Sequence, residues 1–151
     1  MINDVRRAYF YAKARRDIYI EIPAEDPDGG PGVLGKLELC LYGTRDAAKW
    51  WQDTLSDQLE NCGFVRGKGH PSVFWHPTRH IKTLVHGDDY VTSGDANDLN
   101  WVEAELKKAY EINSVRLGEG ANAEGEVLNR IIRQTNQGWE LRPTHGMQSL
   151  S

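Results

Sequence analysis

Asp88 and Asp89 stand side by side in Thr83-Leu84-Val85-His86-Gly87-Asp88-Asp89-Tyr90-Val91-Thr92, between two runs of apolar β-formers. Such runs on either side of a glycine predict a hairpin turning at Gly87-Asp88-Asp89. Adjacent carboxylates repel, and burial would force protons onto them unless a cation sat close by. Neighbours in a strand face opposite ways, so both aspartates can approach one site only from the turn itself. Turn statistics alone would make the pair a cap on an exposed bend. A third carboxylate shifts that reading, because Asp4 of Asp4-Val5-Arg6-Arg7-Ala8-Tyr9-Phe10 has a similar setting. A strand bearing Asp4 beside this hairpin would make a divalent-metal site of the kind two-metal phosphoryl transfer needs.

Periodicity organises the rest of the chain. Val5 to Tyr11 is rich in aromatic residues and reads as a buried strand, and Ile18 to Ile22 as a second. Residues 23–35 are a Pro/Gly/Asp-rich loop. Asp26 and Asp28 there lack the other ligand positions of a calcium loop. Lys36 to Tyr42 alternates as a strand ending at Gly43. Ala48, Trp51, Leu55, Leu59 and Cys62 form one apolar helical stripe, stopped by Gly63. Val73-Phe74-Trp75 and Ile81 to Val85 flank a hairpin loop. Asp95 caps a second helix with the stripe Leu99, Val102, Leu106 and Ala109 or Tyr110. Val127 to Arg133 and Trp139 to Arg142 pair across Asn136-Gln137-Gly138. This order predicts an α+β domain, an antiparallel sheet covered on one face by two helices, with no repeat and no linker.

Composition limits the partners. A chain of 151 residues suffices for one sizeable core but not for a whole polymerase. No apolar run approaches the ~20 residues a membrane helix requires, and no signal peptide is evident, so an intracellular setting, cytoplasmic or nuclear, is expected. Arg6, Arg7, Lys13, Arg15 and Arg16 give the start a presequence-like charge, yet Asp4 and Tyr9-Phe10-Tyr11 fit a buried strand better. Cys40 and Cys62 lie in apolar contexts and read as reduced, buried thiols. His76 and His80 are four apart, but Pro77 disfavours a helix there, which argues against zinc. A net charge of −4 speaks against a free-standing nucleic-acid binder. It does not speak against an acidic metal centre.

Read in order, Asp4-Val5-x-x-Ala8-Tyr9-Phe10, Asp17-Ile18-Tyr19-Ile20-Glu21-Ile22-Pro23, Lys36-Leu37-Glu38-Leu39-Cys40-Leu41-Tyr42-Gly43, Trp50-Trp51, Gly63-Phe64 and Asp88-Asp89 resemble the palm of a copia-type long-terminal-repeat retrotransposon reverse transcriptase. The likeness runs from about Asp4 to the region of Pro143, so it implies a partial reverse transcriptase domain over residues 1–143, with 144–151 as a tail. It implies a polymerase palm with a ferredoxin-like core, Mg²⁺ or Mn²⁺ as cofactor, and an RNA or DNA template–primer and a dNTP as ligands. Fingers, thumb and RNase H segments of the polyprotein would be its other partners.

Carried over residue by residue, the resemblance implies Asp4 and Asp88 as principal metal ligands, supported by Asp89. Val5, Arg6, Arg7 and Ala8 would bed the triphosphate. Tyr9 would lie under the sugar and exclude a 2′-hydroxyl. Tyr42 and Gly43 would pack beneath the incoming base pair. His86, Gly87, Asn129 and Arg130 would face primer or template. The chain departs from the family where Arg45-Asp46-Ala47-Ala48 replaces lysine, glutamine, alanine and proline, and where His86-Gly87 replaces tyrosine and an apolar residue. Two rival expectations stand beside this one: a non-catalytic palm remnant, and a nucleic-acid-binding module without catalysis.

Overall fold

The computed structural model describes residues 1–118 and 121–144. In chain order the elements are β1 (Ile2–Val5), a 3-10 turn (Ala8–Tyr11), β2 (Tyr19–Glu21), β3 (Leu34–Lys36), α1 (Ala47–Asn61), β4 (Val65–Arg66), β5 (Val73–Trp75) and β6 (Lys82–His86). They continue with β7 (Asp89–Ser93), α2 (Ala96–Ala109), β8 (Ile112–Val115), β9 (Glu124–Val127), β10 (Arg130–Thr135) and β11 (Gly138–Pro143). The fold is α+β, with two helices and antiparallel sheets. The elements gather into two compact units, Met1–Arg6 with Leu59–Ser151, and Arg7–Gln58. No linker in the sequence announces that division.

The first unit is built on a six-stranded sheet of order β4-β5-β6-β7-β1-β8. Period-2 patterning gives it one buried face, with Asn3, Val5, Phe74, Thr83, Val85, Tyr90 and Thr92 all inward. Burying Phe74 or Val5 contributes about 1.5–3 kcal/mol each. Two polar pairs lie on that face: Thr83 Oγ1 is 3.2 Å from Thr92 Oγ1, and Asn3 Nδ2 donates to Ser114 Oγ at 2.7 Å. The opposite face is half-exposed and carries Asp4, Trp75, Lys82, Leu84, His86, Asp89 and Val91.

Helix α2 buries Leu99, Val102 and Leu106, as its stripe predicts. Asp95 holds the extended N-cap backbone but its side chain makes no capping bond. The helix is tied to the end of β8 by Arg116, whose guanidinium donates to Glu103 at 2.5 Å. Lys107 first, then Arg116 and Ser114, holds the Glu103 carboxyl down to a pKa of about 2, against some desolvation. A three-stranded sheet, β11-β10-β9, completes this unit. Gly125 of β9 lies so near β1 that a Cβ there would meet Ile2 Cδ1 at 3.0 Å.

In the second unit β2 pairs with β3, and the start of α1 buries Ala47, Trp50, Trp51 and Leu55 beside Ala8, Ala12 and Cys40. The Cys40 thiol is pushed up by burial and donates weakly to the Lys13 carbonyl at 3.6 Å. The helical stripe is shifted by one at its start: Ala47 is inside and Ala48 outside. Among the described residues no helix is long and apolar enough to cross a membrane.

Three predicted strands differ from the structure. The strand expected from Val5 to Tyr11 ends at Val5, because Arg7 adopts φ 54° and Ala8–Tyr11 coil into a 3-10 turn. Lys36 to Tyr42 is not one strand: β3 closes at Lys36, and beyond it only Leu39 makes an isolated bridge, to Lys13. Val127 to Arg133 is two strands. Leu128 and Asn129, at φ 52° and 57°, form a two-residue reversal between β9 and β10, the positive-φ pair of a type I′ turn. β8, absent from the predicted order, supplies the second neighbour of β1. Residues 145–151 of the expected tail lie outside the described residues.

Candidate active site

Strand β1 runs between β7 and β8, and its register decides which acids meet. Asp4 is directly opposite Asp89 on β7 and Asn113 on β8. Asp89 is opposite His86 across the hairpin. Directly opposed residues share a sheet face, so Asn113, Asp4, Asp89 and His86 form a single row across four strands. The two residues between His86 and Asp89 are Gly87, at φ 62°, and Asp88. Positive φ at the first turn position alone matches a type II′ hairpin, where glycine is favoured.

Asp88 therefore occupies the turn, and its backbone carbonyl accepts the Val5 N–H at 3.0 Å. That bond fastens the hairpin tip to β1. Asp4, expected to share an ion with Asp88 and supported by Asp89, has Asp89 as its direct cross-strand neighbour. The Asn113 amide reaches Asp4 Oδ2 at 3.5 Å, a long contact. Sequence reasoning missed Asn113 because β8 itself went unread.

Electrostatics matches the geometry. The Asp89 carboxyl is raised above its usual value, first by burial, then by the charges of Asp88 and Asp4, while His86 partly offsets them. A cation at this row would relieve the same repulsion. Among the described residues no group of three or more His, Cys, Asp or Glu side chains is placed to hold a metal ion. Hard carboxylate oxygens that leave most positions open suit Mg²⁺, which keeps waters and substrate phosphates as ligands.

Other expected site residues fall as follows. A cleft of about 470 Å³ beside the row is lined by Asp89, Glu126, Val127, Leu128 and Asn129. Asn129 is thus brought to Asp89, while its own carbonyl accepts from Thr144 N–H at 3.2 Å. Arg130 opens β10, exposed. Two of the residues expected to bed a triphosphate are engaged within the protein. The Val5 amide is held by Asp88, the Arg6 amide by the Glu111 carbonyl at 2.9 Å, and the Arg6 guanidinium by the Glu111 carboxylate.

Arg7, Ala8, Tyr9, Tyr42 and Gly43 belong to the second unit. There Tyr9 stacks on Tyr42 with ring centroids 4.4 Å apart, and Phe10 meets Tyr42 edge-on. Ala8 is fully buried, so its side chain packs inside the protein. Gly43 has φ 88° with open space around it. Asp46, the departure from the family pattern, is paired with Arg16 at 2.7 Å.

No protein-family model matches the chain, and no solved structure does. Curated relatives do. The chain is 31% identical over 121 residues to the transposon Ty1-DR1 Gag-Pol polyprotein of Saccharomyces cerevisiae, covering 79% of this chain and 7% of that protein. It is 30% identical to the Ty1-BR Gag-Pol polyprotein over 85% of the chain. It is 31% identical to a truncated Ty1-A Gag-Pol polyprotein, of which it covers 10%. The chain therefore spans at most a tenth of the length of these relatives, and it is similar to one segment of a transposon Gag-Pol polyprotein.

Proposed function

We propose that this chain is the palm segment of an RNA-directed DNA polymerase, its core ferredoxin-like, acting by two-metal nucleotidyl transfer. The observation that carries the reading is the Asp4–Asp89 pair, brought face to face across β1 and β7 at the tip of a hairpin pinned by Asp88. Similarity to Gag-Pol polyproteins supports it. Two Mg²⁺ ions, or Mn²⁺, would acidify the primer 3′-hydroxyl and neutralise the triphosphate when bound.

The residues of the chain would do the rest by position. Asp4 and Asp89 present carboxylates on one face, and Asp88 adds a third from the turn. Asn113 steadies Asp4 from the far side. The primer oxygen attacks the α-phosphorus of the dNTP and pyrophosphate leaves, with orientation contributing more than any protein acid. Asn129, beside Asp89 in the cleft, is placed to meet the primer strand. The role of Tyr9 in excluding a 2′-hydroxyl rests on the sequence resemblance.

The test is Mn²⁺ binding by calorimetry together with single-nucleotide addition to a template–primer. Wild type should bind metal and add a nucleotide, and Asp4→Asn and Asp89→Asn should lose both. Metal binding that survives both substitutions would refute the reading. A non-catalytic palm is the second reading. It is favoured by the engagement of the Val5 and Arg6 amides within the protein, and it expects metal binding without nucleotide addition.

A further inference from the structure

The charge of this chain is segregated. From Asn61 to Gly87 there is no Asp or Glu; all 22 acidic residues lie elsewhere. The same stretch holds Arg66, Lys68, Arg79 and Lys82, with His70, His76, His80 and His86. It folds as β4, β5 and β6, one side of the six-stranded sheet. A net charge of −4 conceals a sheet edge that is basic throughout.

Part of that edge is concave. A cleft of about 450 Å³ is lined by Trp75, His76, Arg79, His80, Lys82 and Ser93, among others, with no carboxylate in its wall. Trp75 and Lys82 are direct cross-strand partners, and Lys82 is opposite Ser93. The indole is 44% exposed, more than a core tryptophan needs. Lys82 is exposed and makes no ion pair among the described residues. Arg79 is fixed in place by Asp98 at 2.8 Å and by stacking 4.1 Å over Trp101.

The outward residues of β6 link this cleft to the acidic row. Lys82, Leu84 and His86 share that strand's open face, and His86 is opposite Asp89. Four residues of strand cover ~13 Å, about four base steps of a nucleic-acid strand. We propose that the β5–β6 cleft binds the phosphodiester backbone of a nucleic acid, Lys82 and His80 facing phosphates and Trp75 offering a stacking surface. Cations beside an exposed aromatic ring, without hydrogen-bond readout, describe a sequence-tolerant strand-binding groove. The inference goes beyond the polymerase reading, because this contact requires neither metal nor the aspartates.

The test uses the whole chain, a fluorescein-labelled oligothymidylate and EDTA, with anisotropy followed against KCl. Wild type should bind with a negative slope of log affinity against log salt, and its tryptophan emission should be quenched. Lys82→Gln should flatten the slope by about 0.7–1, and Trp75→Leu should remove part of the quenching. Lys107→Gln, on α2, should change nothing. Measuring in EDTA separates this contact from the metal site. A slope unchanged in Lys82→Gln would overturn the proposal. So would displacement of the oligonucleotide by polyglutamate at equal charge concentration, which would mark the cleft as a site for acidic protein. If oligonucleotide binding holds while Mn²⁺ binding is absent, the polymerase reading fails and this one stands.

Discussion

Replacing Asp89 by Asn should make the metal-free protein more stable. Asp4 and Asp89 are opposed across adjacent strands, which puts their carboxylates roughly 6 Å apart. Coulomb repulsion at that distance is about 0.7 kcal/mol in a water-like dielectric and about 3 kcal/mol at an effective dielectric of 20. Both groups are part-exposed, so solvent screening favours the low end, and His86 offsets a fraction. The expected gain in EDTA at neutral pH is therefore about 1 kcal/mol, or ~2–4 °C in Tm for a chain of this size. The pH dependence has a definite sign. Asp89 has its folded pKa raised, so its charged form costs stability above that pKa, and the cost disappears as pH falls below the unfolded value. The gap between variant and wild type should accordingly close in acid. Mn²⁺ at ten times its Kd should stabilise wild type by about 1.4 kcal/mol and the variant little, erasing or reversing the order. Differential scanning fluorimetry at low salt, with EDTA or Mn²⁺, measures all of this. A variant that melts lower than wild type in EDTA, or an equal response of both to Mn²⁺, would refute the reasoning.

Gly63→Ala should lower the urea midpoint by the equivalent of about 1–2 kcal/mol, since Gly63 sits at φ 92° and a Cβ would lie 3.0 Å from His76 Nε2; an unmoved midpoint would mean the turn relaxes freely. Leu128→Asn should stabilise by up to ~1 kcal/mol, because this 40%-exposed leucine holds φ 52° in the β9–β10 turn, and chemical denaturation will show the opposite if the leucine side chain packs usefully. Glu103→Gln should cost about 1 kcal/mol at neutral pH through loss of the Lys107 and Arg116 bonds. With the folded pKa at about 2, that cost should be full above the unfolded carboxylate range and vanish as pH falls toward 2, a trend that thermal melts across pH will check.

The sequence showed the hairpin and both helices plainly, since Gly87-Asp88 between β-formers and two unbroken apolar stripes admit few alternatives. It did not show Asp89 as the partner of Asp4. That pairing depends on which turn position each aspartate takes, and on β8, whose Ile-Asn-Ser-Val text offers only four residues with a polar centre. Arg7 and Leu128 hid two chain reversals, because neither residue type advertises a positive φ. The basic edge was masked by a whole-chain charge, which averages over the strand order that gathers Arg66, Lys68, Arg79 and Lys82 on one side.

Among the described residues strand β1 pairs with Asp89–Val91 and Ile112–Val115. Residues 2–5 leave the ribosome before either partner, and about eighty-five more residues must follow before β7 exists. At ~5–20 residues per second that is several seconds to nearly twenty. Through that interval Ile2 and Val5 have no sheet to enter, and Asp4 has no carboxylate opposite it. Assembly of the acidic row is thus a late event in synthesis, gated by the emergence of β7. A translational pause between β6 and β8 would prolong a state in which β1 remains open to pairing with another chain.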